Sequence, residues 1–338
     1  MTRRGSRDTG TDDPRVRVRP GRGSRPRTKQ RPAHEDAHLG TVTRIDRGHY
    51  RVRLEETGLT QDGSGDITAV KARELGRGKV VVGDRVSVVG DVSGRKDTLA
   101  RLVRIEPRRT LLRRSAEDGD AAGTERPVVA NADLLVIVTA VADPQPRPRM
   151  IDRYLVAAYD AGMEPLLVLT KADLASPEDL RVAYAPLDIP VVVTRPGGDL
   201  SPVRELLEQH TTVLIGHSGV GKSTLVNMLV PGTDRATGAV SDVTGKGRHT
   251  STSAAAIALP GGGWIIDTPG VRSFGISHVR TDAFIGAFPD LEKFVADCPR
   301  GCRHDSSAPE CALDEAVRSG KLGAERLLSF RRMERAFA

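Results

Sequence analysis

The segment Gly216-His217-Ser218-Gly219-Val220-Gly221-Lys222-Ser223 has the spacing G-x(4)-G-K-S. Glycines so placed let successive backbone N–H groups turn inward around a phosphate, and a helix starting at the lysine adds its partial positive charge. Lys222 then reaches the β- and γ-phosphates, Ser223 ligates Mg²⁺, and Thr224 completes the phosphate-binding set. Asp267-Thr-Pro-Gly270 follows the apolar run WII. It reads as D-x-x-G, with the Asp267 carboxylate beside Ser223 holding a metal-bound water and the Gly270 N–H near the γ-phosphate. The same four-residue pattern starts at Asp62, Asp91, Asp120 and Asp242, where no strand-like run after a phosphate loop precedes it, and there it reads as turns.

Leu169-Thr170-Lys171-Ala172-Asp173 ends the apolar run PLLVLT and fits the base-recognition pattern [NT]-K-x-D. Asp173 can accept from the N1–H and exocyclic amine of guanine while the Lys171 stem packs on the ring. Adenine lacks that donor pair, so a buried Asp173 would be left partly unpaired by ATP, which is the source of base selectivity. Near the C-terminus, Cys298-Pro-Arg-Gly-Cys302-Arg-His304-(x6)-Cys311 gathers every cysteine of the chain into one loop. Three thiolates and an imidazole form the Cys₃His donor set of a closed, structural, tetrahedral zinc site. Three clustered cysteines are not a disulfide framework, and they point to a cytoplasmic protein with one local thiol site. Arg300 and Arg303 between the ligands read either as a basic knob for rRNA or as solvated surface.

These groups need elements to hold them. From residue 127 to 278 apolar runs (ADLLVIVTAV, PLLVLT, PVVVT, TTVLIG, SAAAIAL, WIID) alternate with helix-like segments such as IDRYLVAAYDAG and SPVRELLEQ. Continuous apolar strands of this kind are buried on both faces of a mostly parallel sheet, whose carboxyl edge is where base and phosphate loops meet. From 38 to 114 the runs are shorter and broken by Gly and Asp, with Tyr50, Val52 and Leu54, and Val86 and Val88, alternating against polar neighbours. Short half-buried strands in such a span suit a small OB-fold-like barrel. Tyr50 is its one aromatic candidate for base stacking, so contacts to RNA backbone, to RNA shape or to protein are expected there. The polar stretch Arg114 to Arg126 reads as a linker. Residues 279 to 338 read as helical around the zinc loop, and the last stretch carries Leu327, Leu328 and Phe330 on a basic frame, for packing on the α/β core or lying along RNA.

Residues 1 to about 36 are rich in Arg, Pro, Gly and Ser and carry too few apolar groups to offset chain entropy, so disorder is expected. That tail is either solubilising or a grip on RNA phosphates. A net charge of +7 over 338 residues points to a polyanionic partner. No apolar stretch is long enough to span a bilayer, and the N-terminus lacks the apolar region of a secretory signal.

In most GTP-binding proteins the base-recognition motif follows the phosphate loop; here it precedes it, with D-x-x-G last, which is a circular permutation. In PVVANADLLVIVTA, IDRYLVAA, LTKADL, GHSGVGKSTLVN, GKGRHTST, IDTPGVRSFG and the cysteine segment the chain resembles the ribosome small-subunit-dependent GTPase A family of bacteria. The resemblance runs from about Gly40 to the C-terminal helices and includes the order barrel, GTPase, zinc domain. It implies a multidomain protein with an N-terminal OB-fold β-barrel, a central α/β circularly permuted P-loop GTPase domain and a C-terminal helical zinc-binding domain. It further implies hydrolysis of GTP to GDP on the small ribosomal subunit late in its maturation, with binding to 16S rRNA and release after hydrolysis. Its switch residues lie in Gly245 to Thr252, where Thr250 or a neighbouring threonine is the second Mg²⁺ ligand. The position after D-x-x-G, where many GTPases have a water-orienting Gln, is Val271, and the resemblance offers His249 for positioning the attacking water. The alternative is that His249 only caps or packs the switch. The first two zinc-ligand cysteines are separated by three residues where the family pattern has four. A monomer is expected. Competing readings are a permuted GTPase of large-subunit assembly, which the barrel-first and zinc-last order disfavours, a zinc-stabilised RNA-binding protein with a vestigial nucleotide site, and an ATPase.

Overall fold

In the computed structural model the described residues are 34–76, 79–115, 125–232, 254–268, 279 and 284–337. The chain divides into two units, Met1–Glu35 and Asp36–Ala338, and among the described residues every strand and helix lies in the second. The basic tail up to residue 33, the switch segment with His249 and Thr250, and Gly270 and Val271 lie outside the described residues.

Strands β1 (His38–Asp46), β2 (His49–Leu54), β3 (Asp66–Lys71), β4 (Arg85–Gly90) and β5 (Ala100–Ile105) run in the order β1-β2-β3-β5-β4. The last of these pairs back onto β1, Gly40 against Val86, which closes the barrel. Alternate residues point inward as strand geometry requires. Val42, Val52, Leu54, Ile67, Val86, Val88 and Leu102 are buried together in the barrel core. Tyr50 packs on that same core.

The polar stretch expected to be a linker is not one at its ends. Strands β6 (Leu111–Ser115) and β7 (Glu125–Ala130) pair antiparallel, with Arg114 opposite Arg126 and Ser115 opposite Glu125. A two-stranded ladder satisfies backbone groups whatever the side chains, so polarity alone did not reveal it.

The α/β part comprises β8 (Leu134–Ala140), α1 (Pro148–Asp160), β9 (Glu164–Thr170), α2 (Glu178–Tyr184), β10 (Val191–Val193), α3 (Ser201–Leu207), β11 (Thr211–Ile215), α4 (Lys222–Leu229), β12 (Ala255–Ala258) and β13 (Trp264–Asp267). Its strand order is β10-β9-β8-β11-β13-β12, parallel except for β12. Strand β8 is buried at every position, as a central strand covered on both faces must be. One face packs on α3 and α4 through Val203, Leu207, Leu225 and Leu229. The other packs on α1 and on the C-terminal helices. At its far edge β12 pairs with β1, Arg44 opposite Ala255, so one sheet runs from the α/β part into the barrel.

The C-terminal helices are α5 (Pro289–Val295), α6 (Ala312–Arg318) and α7 (Ala324–Glu334). They pack on the α/β core. Phe288 lies edge-on to Tyr159 of α1 at 5.1 Å, and Phe284 stacks on Phe330 at 5.6 Å. Leu327, Phe330 and Met333 are buried, whereas Leu328 is 59% exposed, so the last helix spends its apolar face on the core. Among the described residues no helix is long and apolar enough to cross a membrane.

Candidate functional site

At the carboxyl edge of the parallel strands β11 runs into the glycine loop and β9 into Thr170–Asp173, with only β8 between them. Gly216 has φ 151°, and a Cβ there would lie 2.3 Å from the Val138 carbonyl oxygen of β8, so only glycine lets the loop leave its strand this close to its neighbour. Gly219 and Gly221 have φ of 83° and 93°, left-handed values that let the chain turn back on itself before α4 begins at Lys222.

Lys222 curls over the loop. Its Nζ donates to the carbonyls of Gly216 and His217, the latter at 2.8 Å. Burial pushes its pKa down to about 8. The His217 imidazole is also held below its ordinary value, by burial first and then by Arg147 and Lys222. Its Nδ1 lies 2.9 Å from the Ser218 carbonyl, a contact that opposes the shift. Ser223 is half-buried at the start of α4 and Thr224 is exposed. Asp267 ends β13 level with Leu214 in the neighbouring β11, two positions before Gly216, and is 8% exposed.

The base loop is tied to the phosphate loop. The Thr170 hydroxyl donates to the Val220 carbonyl at 2.6 Å. Lys171 adopts a left-handed φ of 58°, and its Nζ donates to the Asp143 carbonyl in the β8–α1 connection. The Ala172 N–H donates to the Thr194 carbonyl beyond β10. Asp173 is exposed, so the burial that the selectivity argument needs must come from the base itself. Two of these partners, Val220 and Asp143, were not singled out for the base loop in the sequence. The first lies inside the phosphate-loop pattern and the second in a loop with no pattern.

In the second cluster the ligand atoms of Cys298, Cys302, His304 and Cys311 lie within 4.8 Å of one another and could hold one metal ion. Cys298 Sγ is 3.5 Å from His304 Nδ1 and 4.0 Å from Cys311 Sγ, and Cys311 Sγ is 3.8 Å from the same nitrogen. Burial, with the neighbouring thiols adding, pushes the Cys311 thiol up to about 11. Crowded thiols resist ionising together unless a cation joins them. The loop is held from α7, where Arg331 donates to the His304 carbonyl and to Asp314, while Arg332 reaches Asp152 of α1. Neither arginine was legible as a partner from the sequence.

A third feature lies where the barrel sheet meets β12 and β13. A groove of about 570 Å³ is lined by Arg44, Arg51, Arg53, Ala256 and Trp264 among others. Arg53 is held by Asp66 through bonds of 2.6 and 2.8 Å, and its guanidinium lies 5.3 Å from the centre of the Trp264 ring. Tyr50, the barrel's one aromatic candidate for stacking, packs on the barrel core, in keeping with the expectation that base stacking does not come from the barrel itself. The aromatic surface beside the barrel's arginines comes from the α/β part.

A family model described as RsgA GTPase matches residues 105–277. The small ribosomal subunit biogenesis GTPase RsgA of Ectopseudomonas mendocina (strain ymp) is 39% identical over 292 residues, covering 84% of this chain and 82% of that protein. The protein of the same name from Pseudomonas aeruginosa (strain LESB58) is 42% identical over 234 residues, 67% of each. Among solved structures, YjeQ from Thermotoga maritima aligns with TM-score 0.65 at 26% identity, over 89% of this chain and 98% of that one. YloQ, described as a circularly permuted GTPase, aligns with TM-score 0.63 over 91% and 97%; at 23% identity that likeness speaks for the fold alone.

Proposed function

The chain belongs to the RsgA GTPase family, and from that premise we propose that it hydrolyses GTP to GDP and phosphate in late maturation of the small ribosomal subunit, binding 16S rRNA and leaving after hydrolysis. The observation that carries the nucleotide chemistry is the Thr170–Val220 hydrogen bond, which holds a guanine-type loop against a phosphate-type loop in spite of their permuted order. The names of the relatives favour the small subunit over the large one, and their naming as GTPases disfavours a vestigial site.

In this reading Thr170, Lys171 and Asp173 bind guanine, and the loop from Gly216 to Thr224 binds the phosphates. Lys222 neutralises charge that develops on the transferred phosphoryl group. Ser223 and Thr250 would hold Mg²⁺, Asp267 would orient a water bound to it, and the Gly270 N–H would meet the γ-phosphate. His249 positions the attacking water. Mg²⁺ when bound would supply neutralisation of phosphate charge.

For the cysteine cluster we propose zinc in a structural role. Tetrahedral zinc has Zn–S bonds of about 2.3 Å and Zn–N bonds of about 2.0 Å, hence ligand-to-ligand edges of about 3.5 to 3.8 Å. The separations of 3.5 and 3.8 Å fall within those edges, and the Cys298–Cys311 separation of 4.0 Å lies just above them. With four protein donors no position is left for a reacting water, so zinc would fix the loop between α5 and α6.

The RNA reading is supported by the arginine groove. Exposed Arg44 and Arg51 offer phosphate contacts, and the Trp264 ring with Arg53 offers a stacking surface. The functional units proposed are a tail (1–36), a barrel (38–114), a permuted GTPase domain (127–278) and a zinc-binding helical domain (279–338), acting as a cytoplasmic monomer. The test is GTP turnover of the purified protein alone and with each isolated ribosomal subunit. Turnover is expected to rise with the small subunit. A rise with the large subunit only would overturn the assignment.

A further inference from the structure

His304 supplies the one imidazole of the metal-ligand cluster, and its backbone has φ 61°. Side chains other than glycine seldom adopt that left-handed region, because Cβ then crowds the following carbonyl. The strained turn must be held by something outside it. The turns on either side do not reach its carbonyl: Asp305 closes a local turn onto the Ser307 N–H at 2.8 Å, and the Cys302 N–H goes to Pro299.

The group that does reach it comes from α7. Arg331 Nε donates to the His304 carbonyl at 2.8 Å, and its two terminal nitrogens donate to the two carboxylate oxygens of Asp314, each at 2.8 Å. Asp314 stands in the first turn of α6, three residues after the ligand Cys311, which caps that helix. One planar guanidinium thus holds the backbone of the third ligand and the helix that carries the fourth. Arg331 is 8% exposed and its geometry is fixed on every donor edge, which an ammonium could not reproduce.

We infer that Arg331 is a positioning residue of the metal centre: its Nε–H bond keeps His304 in the left-handed conformation that brings Nδ1 to the sulfurs, and without it the centre keeps its thiolates but loses its imidazole. The inference rests on reading the cluster as a metal site. It goes beyond that reading in making the ligand set depend on a residue of the last helix, distant in sequence and touching the loop backbone.

The test uses the full-length chain with Co²⁺ in place of zinc. The wild type is expected to give thiolate-to-cobalt charge transfer, tetrahedral ligand-field absorption and paramagnetically shifted imidazole resonances. If the wild type gives none of these, the metal reading itself fails. With the wild type binding, Arg331→Met is expected to keep the charge transfer, lose the imidazole resonances and bind zinc about 10- to 100-fold more weakly in chelator competition. Asp314→Asn leaves the His304 bond in place and is expected to keep the imidazole signal and an affinity within about threefold of wild type. Imidazole signals and affinity unchanged in Arg331→Met would overturn the inference. So would an equal loss in Asp314→Asn, because Arg331 would then be only a tether between helices. Should the Met variant not fold, Arg331→Lys is read in its place. A weaker metal affinity supports the inference and an unchanged one overturns it.

Discussion

Thr170 and Val220 are 50 residues apart in the chain, and the hydroxyl of the first donates to the carbonyl of the second at 2.6 Å. The bond joins the end of β9 to the last turn of the phosphate loop across the intervening strand β8. Both residues are buried, so the carbonyl has no water to turn to if the hydroxyl is removed. In a permuted chain the two loops are not joined by the usual run of sequence, and this bond ties them directly.

Replacing Thr170 by Val keeps the shape and deletes the donor. A buried carbonyl left unpaired costs about 1 to 3 kcal/mol, which corresponds to about 5- to 150-fold in nucleotide affinity if the loops separate. GDP titration of Thr170→Val against wild type measures it. Equal affinities would mean that the bond does not couple the loops.

Lys222 gives a pH dependence with a definite sign. Its pKa in the nucleotide-free protein is pushed down to about 8 by burial, and a bound diphosphate or triphosphate favours the charged form. Binding above pH 8 therefore takes up a proton, and GDP affinity is expected to fall by up to about tenfold per pH unit from there. The stability of the nucleotide-free protein moves the other way. The unfolded lysine, with its ordinary pKa of 10.5, holds more protons than the folded one between pH 8 and 10.5, so this group's contribution to stability improves as pH rises through that window. Calorimetric titrations in buffers of different ionisation enthalpy measure the uptake. Affinity that is flat from pH 7 to 9.5 would contradict it.

How much of this was legible depended on whether the signal was local. The glycine loop, the TKAD stretch and the cysteine loop each encode their chemistry in spacing along a few residues, and the strands that hold the first two are continuous apolar runs. Partners set by tertiary packing were not legible. Nothing in FRRME indicates that Arg331 faces the cysteine loop and Arg332 faces α1, although neighbouring residues on a helix do point in different directions. The same rule separates buried Leu327 and Phe330 from exposed Leu328. The aromatic partner of the barrel arginines was missed because it arrives from β13, and the ends of the polar stretch after the barrel pair through backbone groups that side-chain polarity does not report.

Arg332 and Asp152 form an ion pair that joins the last helix to α1. Asp152 is 2% exposed, accepts from the Tyr184 hydroxyl at 3.1 Å, and is 3.1 Å from Arg332 Nε. Burial raises its pKa in spite of the arginine. Removing one partner of a buried pair leaves the other uncompensated at a cost of about 3 to 5 kcal/mol. Arg332→Leu should raise the Asp152 pKa further. A raised folded pKa means a contribution that is favourable below the unfolded value and lost as pH rises through the folded one, so the variant should be less damaged at pH 4.5 than at pH 7.5. Melting temperatures at both pH values check it, and adding Asp152→Asn should recover part of the loss at the higher pH.

Asp173 is predicted to set the base. Asp173→Asn exchanges a double acceptor for a group that also donates, which matches xanthine better than guanine. Competition between GDP and XDP should shift toward XDP by about 100-fold or more, with the phosphate loop intact. An unchanged preference for GDP would remove this stretch from base recognition.

Trp264 is the one tryptophan of the chain, so its fluorescence reports on the arginine groove without labelling. Single-stranded RNA stacking on the ring should quench it, with an affinity that falls steeply as salt rises, because each phosphate neutralised by an arginine releases counterions. Titrating the full chain with a short oligouridylate measures both quantities. The double variant Arg44→Glu, Arg51→Glu should weaken binding by about tenfold or more and lower the slope of log affinity against log salt by about 1.4, at about 0.7 per lost phosphate contact on a single strand. Neither residue lies in the phosphate or base loops, so unstimulated GTP turnover should be unchanged in that variant while stimulation by the small subunit falls. Quenching by an acidic peptide at the same salt concentration with none by RNA would reassign the groove to a protein partner.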